Sequence, residues 1–111
     1  MNFRMTTLTG LALALSACTS VGPIATDPVS ARWVGKSAGE FFAAYGPPLT
    51  DIETGGTTLY TWRGGFRGPR VCAVELTVGT DYRIRKIRAT RDHPGKNGPS
   101  HCAEVLDAAK A

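Results

Sequence analysis

What this chain lacks narrows it before any motif does. Its most apolar stretch, residues 8–15, falls well short of the roughly 20 residues that a permanent transmembrane helix needs. It has no phosphate loop or HExxH motif and only two histidines, and the expectation is a protein that is not an enzyme. Neither CxxC nor HxxxH spacing occurs, which removes the usual zinc signatures. No repeat or low-complexity tract is visible, which argues against a solenoid or array. Cysteine is scarce, at three in 111 residues, and each of the three carries weight below.

What is present starts at the N-terminus. A short basic region up to Arg4 precedes the apolar stretch, and Leu15-Ser16-Ala17-Cys18 closes it, which is the anatomy of an export signal. That tetrapeptide resembles the lipobox of bacterial lipoproteins, whose small residues admit the signal peptidase and whose cysteine receives diacylglycerol. The resemblance implies that residues 1–17 are removed. Cys18 then becomes the first mature residue, carrying thioether-linked diacylglycerol and an amide-linked acyl chain such as palmitate, with no other cofactor. Thr19 stands where inner-membrane lipoproteins commonly carry aspartate, which resembles the outer-membrane sorting pattern and implies a periplasm-facing location there. The competing reading is a soluble secreted protein with a chance cysteine. Residues 18–30 then form the lipidated cysteine and a tether rich in Pro, Gly, Ser and Thr, able to reach about 40 Å at full extension.

Removing residues 1–17 leaves 94 of 111, enough for one small domain over residues 31–111. Such a domain buries only about 60% of its unfolded surface, so a covalent staple helps. With Cys18 lipidated and the chain exported, Cys72 and Cys102 remain as a pair, and a disulfide between them is worth roughly 3–4 kcal/mol on the chain-entropy view. A zinc site from Cys72, His93, His101 and Cys102 is the rival, but neighbouring His101 and Cys102 point apart in most backbone conformations.

Ser37-Ala38-Gly39-Glu40 fits a capping box, with Ser37 accepting from the Glu40 N–H and Glu40 reaching back to Ser37. Phe41, Phe42, Ala44 and Tyr45 supply an apolar face, and Gly46-Pro47-Pro48 ends the run, so a helix is predicted over residues 38–45. Residues 57–63 are β-branched and aromatic, with Gly55-Gly56 punctuating their start. Residues 70–78 alternate, with Cys72, Val74, Leu76 and Val78 on one face and Val71, Ala73, Glu75 and Thr77 on the other. Residues 64–69 read as a glycine-rich hairpin connection between these two strands. A third strand, residues 82–90, needs a bulge near Arg85-Lys86 for Ile84 and Ile87 to share a face. After a loop over residues 92–100, residues 102–110 suit a short closing helix. The expected fold is α+β: a short N-terminal helix on a three-stranded antiparallel sheet, with a short C-terminal helix tied back by the disulfide.

Residues 35–48, Gly-Lys-Ser-Ala-Gly-Glu-Phe-Phe-Ala-Ala-Tyr-Gly-Pro-Pro, resemble the helix signature of small outer-membrane lipoproteins of the SmpA/BamE type, and Trp62 in the following strand suits that family's order. The same compact architecture occurs in the β-lactamase-inhibitor-protein group. The resemblance implies a periplasm-facing accessory in outer-membrane protein assembly or envelope integrity. This chain departs from the family in having no clear amphipathic helix before Gly35 and in adding the Cys72/Cys102 pair.

Arginine is concentrated in two places. Arg63, Arg67 and Arg70 flank the glycine-rich connection, while Arg83, Arg85, Lys86, Arg88 and Arg91 load the third strand and its exit. The guanidinium fork suits carboxylates and phosphates, so the contacts expected of Arg63, Arg67, Arg70, Arg85 and Arg88 are an envelope protein, an anionic lipid or cell-wall groups. The export signal excludes nucleic acid. The competing reading is a solvated sheet face whose charges protect an edge. Trp62 and Tyr60 share a strand face and belong to the core. Phe66, read at a hairpin tip with little to bury it, is the candidate contact beside Arg67. His93 with Asp92 and His101 with Glu104 are the only acid–base pairings that suggest themselves. The function these features favour is a membrane-anchored, non-catalytic binding or scaffolding accessory. The alternatives are an inhibitor-like module that blocks a periplasmic enzyme and a direct binder of anionic envelope components.

Overall fold

The computed structural model describes residues 27–109, so the expected signal (1–17), the lipidated Cys18, the tether as far as residue 26, and Lys110 lie outside the described residues. Three helices and four strands follow in the order α1 (Pro28–Trp33), α2 (Ala38–Tyr45), β1 (Thr50–Thr54), β2 (Thr57–Arg67), β3 (Arg70–Val78), β4 (Ile84–Arg91) and α3 (His101–Val105). The strands form one antiparallel meander, β1-β2-β3-β4.

The α+β class, the helix over residues 38–45, the strand over residues 70–78 and the Cys72–Cys102 disulfide stand as expected. Ser37 caps α2, but its hydroxyl accepts from the Gly39 N–H at 3.0 Å rather than from Glu40. The bulge in β4 is where the two isoleucines require it. Thr77 pairs with Lys86 and Val78 with Ile84, so Arg85 is the extra residue and both Ile84 and Ile87 turn inward.

The structure departs from these expectations in four places. The expected tether does not run to Ser30: Asp27 accepts from the Ser30 N–H, Pro28 starts α1, and Val29 and Trp33 are buried. A six-residue helix cannot stand alone. Trp33 holds it, packing edge-on against Phe41 and Tyr45 and donating its indole N–H to the Leu106 carbonyl at 2.8 Å. The sheet has four strands rather than three, because β1 pairs with β2 across Gly55-Gly56, whose positive φ angles of 57° and 89° make a two-residue hairpin turn. The connection expected over residues 64–69 is mostly strand: β2 runs to Arg67 and only Gly68 and Pro69 turn. The closing helix begins at His101 and ends at Val105, shorter than residues 102–110.

All three helices lie on one side of the sheet, over a core that includes Trp62, Cys72, Val74, Leu76, Val78, Ile84 and Ile87. Phe41 is fully buried at its centre, with edge-on neighbours Trp33, Phe42, Tyr45 and Trp62 at centroid distances of 5.0–5.7 Å. Trp62 and half-buried Tyr60 therefore serve packing. Val71, expected on the outer face, is also buried but outside this cluster. The opposite sheet face is open and carries three cross-strand rows: Arg63–Ala73–Arg91, Thr61–Glu75–Arg88 and Leu59–Thr77–Lys86.

Candidate functional site: a fastened ledge bearing Phe66

Beyond Gly64 the β2–β3 ladder changes step. Gly64 pairs with Cys72 and Arg67 with Arg70, so β2 carries one extra residue at Gly65-Phe66. Gly65 takes φ +65°, and a Cβ there would meet Val105 Cγ2 of α3 at 2.5 Å. Only glycine satisfies both the turn and the approach of the helix.

Three contacts fix this end of the hairpin to α3: Gly65 against Val105, Gly65 O on His101 Nε2 at 2.6 Å, and the Cys72–Cys102 disulfide across a Cα–Cα distance of 5.0 Å. A carbonyl only accepts, so Nε2 of the buried His101 ring carries the proton. The loop over residues 92–100 is tied to the same helix. Asp92 Oδ1 accepts from the N–H groups of His93 and Cys102, and Oδ2 from the Ser100 hydroxyl. Glu104 accepts from the N–H groups of Asn97 and Lys96, each at 2.9 Å. Those two N–H groups, Asn97 first, hold the Glu104 carboxyl below the usual carboxylate range.

On this anchored platform Phe66 is 66% exposed and Arg67 beside it is exposed. Phe66 thus sits at the bulged end of β2, not at a free hairpin tip. A cavity of about 320 Å³ opens alongside, lined by Arg67, Arg70, Lys96, Asn97, His101, Glu104 and Val105. It gathers three cations around one carboxylate, and the positive charge favours an anion or the acidic rim of a protein.

The structure separates the other expected contacts from this site. Arg63 lies on the open sheet face. Arg85 pairs with Asp81 at 3.1 Å and Arg88 with Glu75 at 2.6 Å, so both already have carboxylate partners within the chain. Lys96 joins Arg67 and Arg70 only through the folding of the 92–100 loop, which no local sequence pattern announces. Neither expected acid–base pairing forms through an imidazole: the Asp92–His93 contact uses the main-chain N–H, and His101 Nε2 is engaged by Gly65. With both thiols in the disulfide, the alternative set of Cys72, His93, His101 and Cys102 has no sulfur left for zinc. No group of residues able to hold a metal ion occurs among the described residues, and none of their helices is long and apolar enough to cross a membrane.

The chain matches no protein-family model, no curated protein and no solved structure with which it was compared.

Proposed function

We propose that this protein is a lipid-anchored envelope lipoprotein, held at the outer membrane through Cys18 and facing the periplasm. It works there as a non-catalytic binding accessory that touches an envelope protein through Phe66 and Arg67. The observation that carries the reading is a two-thirds-exposed phenylalanine on a platform fastened by a disulfide, a buried histidine and a bulge. A large apolar side chain left in water on a fastened stretch of backbone leaves less main-chain freedom for binding to remove, which is how preorganised recognition sites gain affinity. The lipobox-like tetrapeptide supports the anchor, and the disulfide suits an exported protein. The likeness of residues 35–48 to SmpA/BamE-type lipoproteins supports outer-membrane protein assembly or envelope integrity as the setting.

A second reading has its own observation. The cavity lined by Arg67, Arg70 and Lys96 favours a phosphate or carboxylate of a lipid or cell-wall component as the ligand.

Photo-crosslinking in intact cells tests the first reading, with a benzoyl-phenylalanine at position 66 of the full-length chain. The expected result is a discrete protein adduct that is lost on Arg67→Glu, together with release from the membrane fraction on Cys18→Ala. Adducts to lipid alone would favour the second reading. A protein that stays membrane-bound without Cys18, or that gives no adduct from position 66, would contradict the first.

A further inference from the structure

The two edges of the sheet are finished differently. The outer side of β4 is covered over its first half, from Ile84 to Ile87. Gly35 N–H donates to Ile84 O at 2.8 Å, Ile84 N–H to Lys36 O at 2.9 Å, Ser37 bridges to Arg83, and the Ser30 hydroxyl reaches Ile87 O. On β1 all five residues are exposed, and no described residue pairs with its outer side.

A two-residue turn makes Thr54 and Thr57 hydrogen-bonded partners, and the antiparallel alternation then leaves the main-chain groups of Asp51 and Glu53 facing outward. Their side chains fall on the helix-bearing face, opposite Tyr60 and Thr58, and neither carboxylate is in an ion pair among the described residues. Ile52, 61% exposed, falls on the open face opposite Leu59. An unpaired edge therefore offers a ladder of N–H and C=O groups, two free carboxylates on one face and an apolar side chain on the other.

The same charges say what does not fit. A two-fold pairing of β1 with a second copy, centred on Ile52, sets Asp51 against Glu53 twice. Shifting the register by one pair sets Asp51 against Asp51 or Glu53 against Glu53. Like charges directly opposite destabilise a strand pair, so every such register is penalised.

We propose that β1 is a strand-addition site for an extended segment of a partner protein in which Lys or Arg alternates with apolar residues. Its cations meet Asp51 and Glu53, its apolar side chains cover Ile52, and its backbone supplies the missing ladder. This site is separate from the Phe66 ledge and stands whether or not the ledge reading holds.

The test uses the full chain in neutral detergent and the capped peptide Thr-Arg-Val-Arg-Val-Arg-Thr. Three companion probes accompany it: the Glu-for-Arg peptide, an Arg peptide N-methylated on alternate residues, and the Asp51→Lys/Glu53→Lys variant. The expected result is that the Arg peptide shifts the amide resonances of residues 50–54 and binds the variant at least tenfold more weakly. The Glu peptide recovers that loss on the variant, and N-methylation abolishes binding. A resonance spectrum unchanged outside residues 50–60 shows that the variant remains folded. Equal binding of the N-methylated peptide, failure of the charge swap, or shifts centred on Phe66 and Arg67 would overturn the proposal. So would peptide-free self-association through residues 50–54.

Discussion

Strand β2 joins two regions built on opposite plans. At its C-terminal end the chain is fixed from several sides, by the bulge at Gly65, the His101 contact, the disulfide and the carboxylates of Asp92 and Glu104. At its N-terminal end β2 carries β1, which has no buried residue and whose outer edge is paired by no described residue. One region presents side chains from a backbone that cannot adjust. The other presents backbone, with side chains that sort partners by charge. A fold of this size has little core to spend, and it has placed nearly all its fasteners at one end.

Removing the fasteners one at a time sharpens that contrast. Cys72→Ser/Cys102→Ser has the largest expected effect, a loss of roughly 3–4 kcal/mol in denaturant unfolding, because the disulfide closes the chain over residues 72–102. Amide protection falls first in residues 64–72 and not in residues 50–54. Gly65→Ala comes next. It forces a β-carbon into Val105 at a positive φ, and overpacking of this kind costs about 1–3 kcal/mol; Gly55→Ala, with open space around it, is the companion that isolates the conformational part. Mild acid has the smallest effect. The Glu104 carboxyl is depressed in the folded chain, so its hold on the loop is complete above the unfolded carboxylate value and is lost as pH falls through the lower folded one. Amide exchange at Lys96 and Asn97 then accelerates on acidification, while β1 is unaffected. The same acceleration at neutral pH is expected of Glu104→Gln.

The legible parts of the sequence were those where one short segment carries its own physical reason. α2 has a cap, an apolar face and a Gly-Pro-Pro stop; β3 alternates; and the parity slip between Ile84 and Ile87 demands the β4 bulge. The disulfide followed from counting cysteines. The missed elements depend on distant partners. α1 has six residues and is held by Trp33 reaching Leu106, more than seventy positions away. β1 has one apolar side chain in five, so no periodicity marks it, although the Gly55-Gly56 pair was a two-residue hairpin signal. At the site, Phe66, Arg67 and Arg70 could be named from sequence as neighbours of one turn. The engagement of Arg85 by Asp81 and of Arg88 by Glu75, and the arrival of Lys96, are products of the tertiary fold.

Residue-resolved amide hydrogen exchange on the oxidised protein tests the contrast between the two ends of β2 most directly. The hydrogen-bonded amides of residues 64–72 are expected to exchange only near global unfolding, while those of residues 50–54 exchange by local opening at least about a hundredfold faster. Equal protection at the two ends, or a hairpin end that opens before β1, would contradict that contrast.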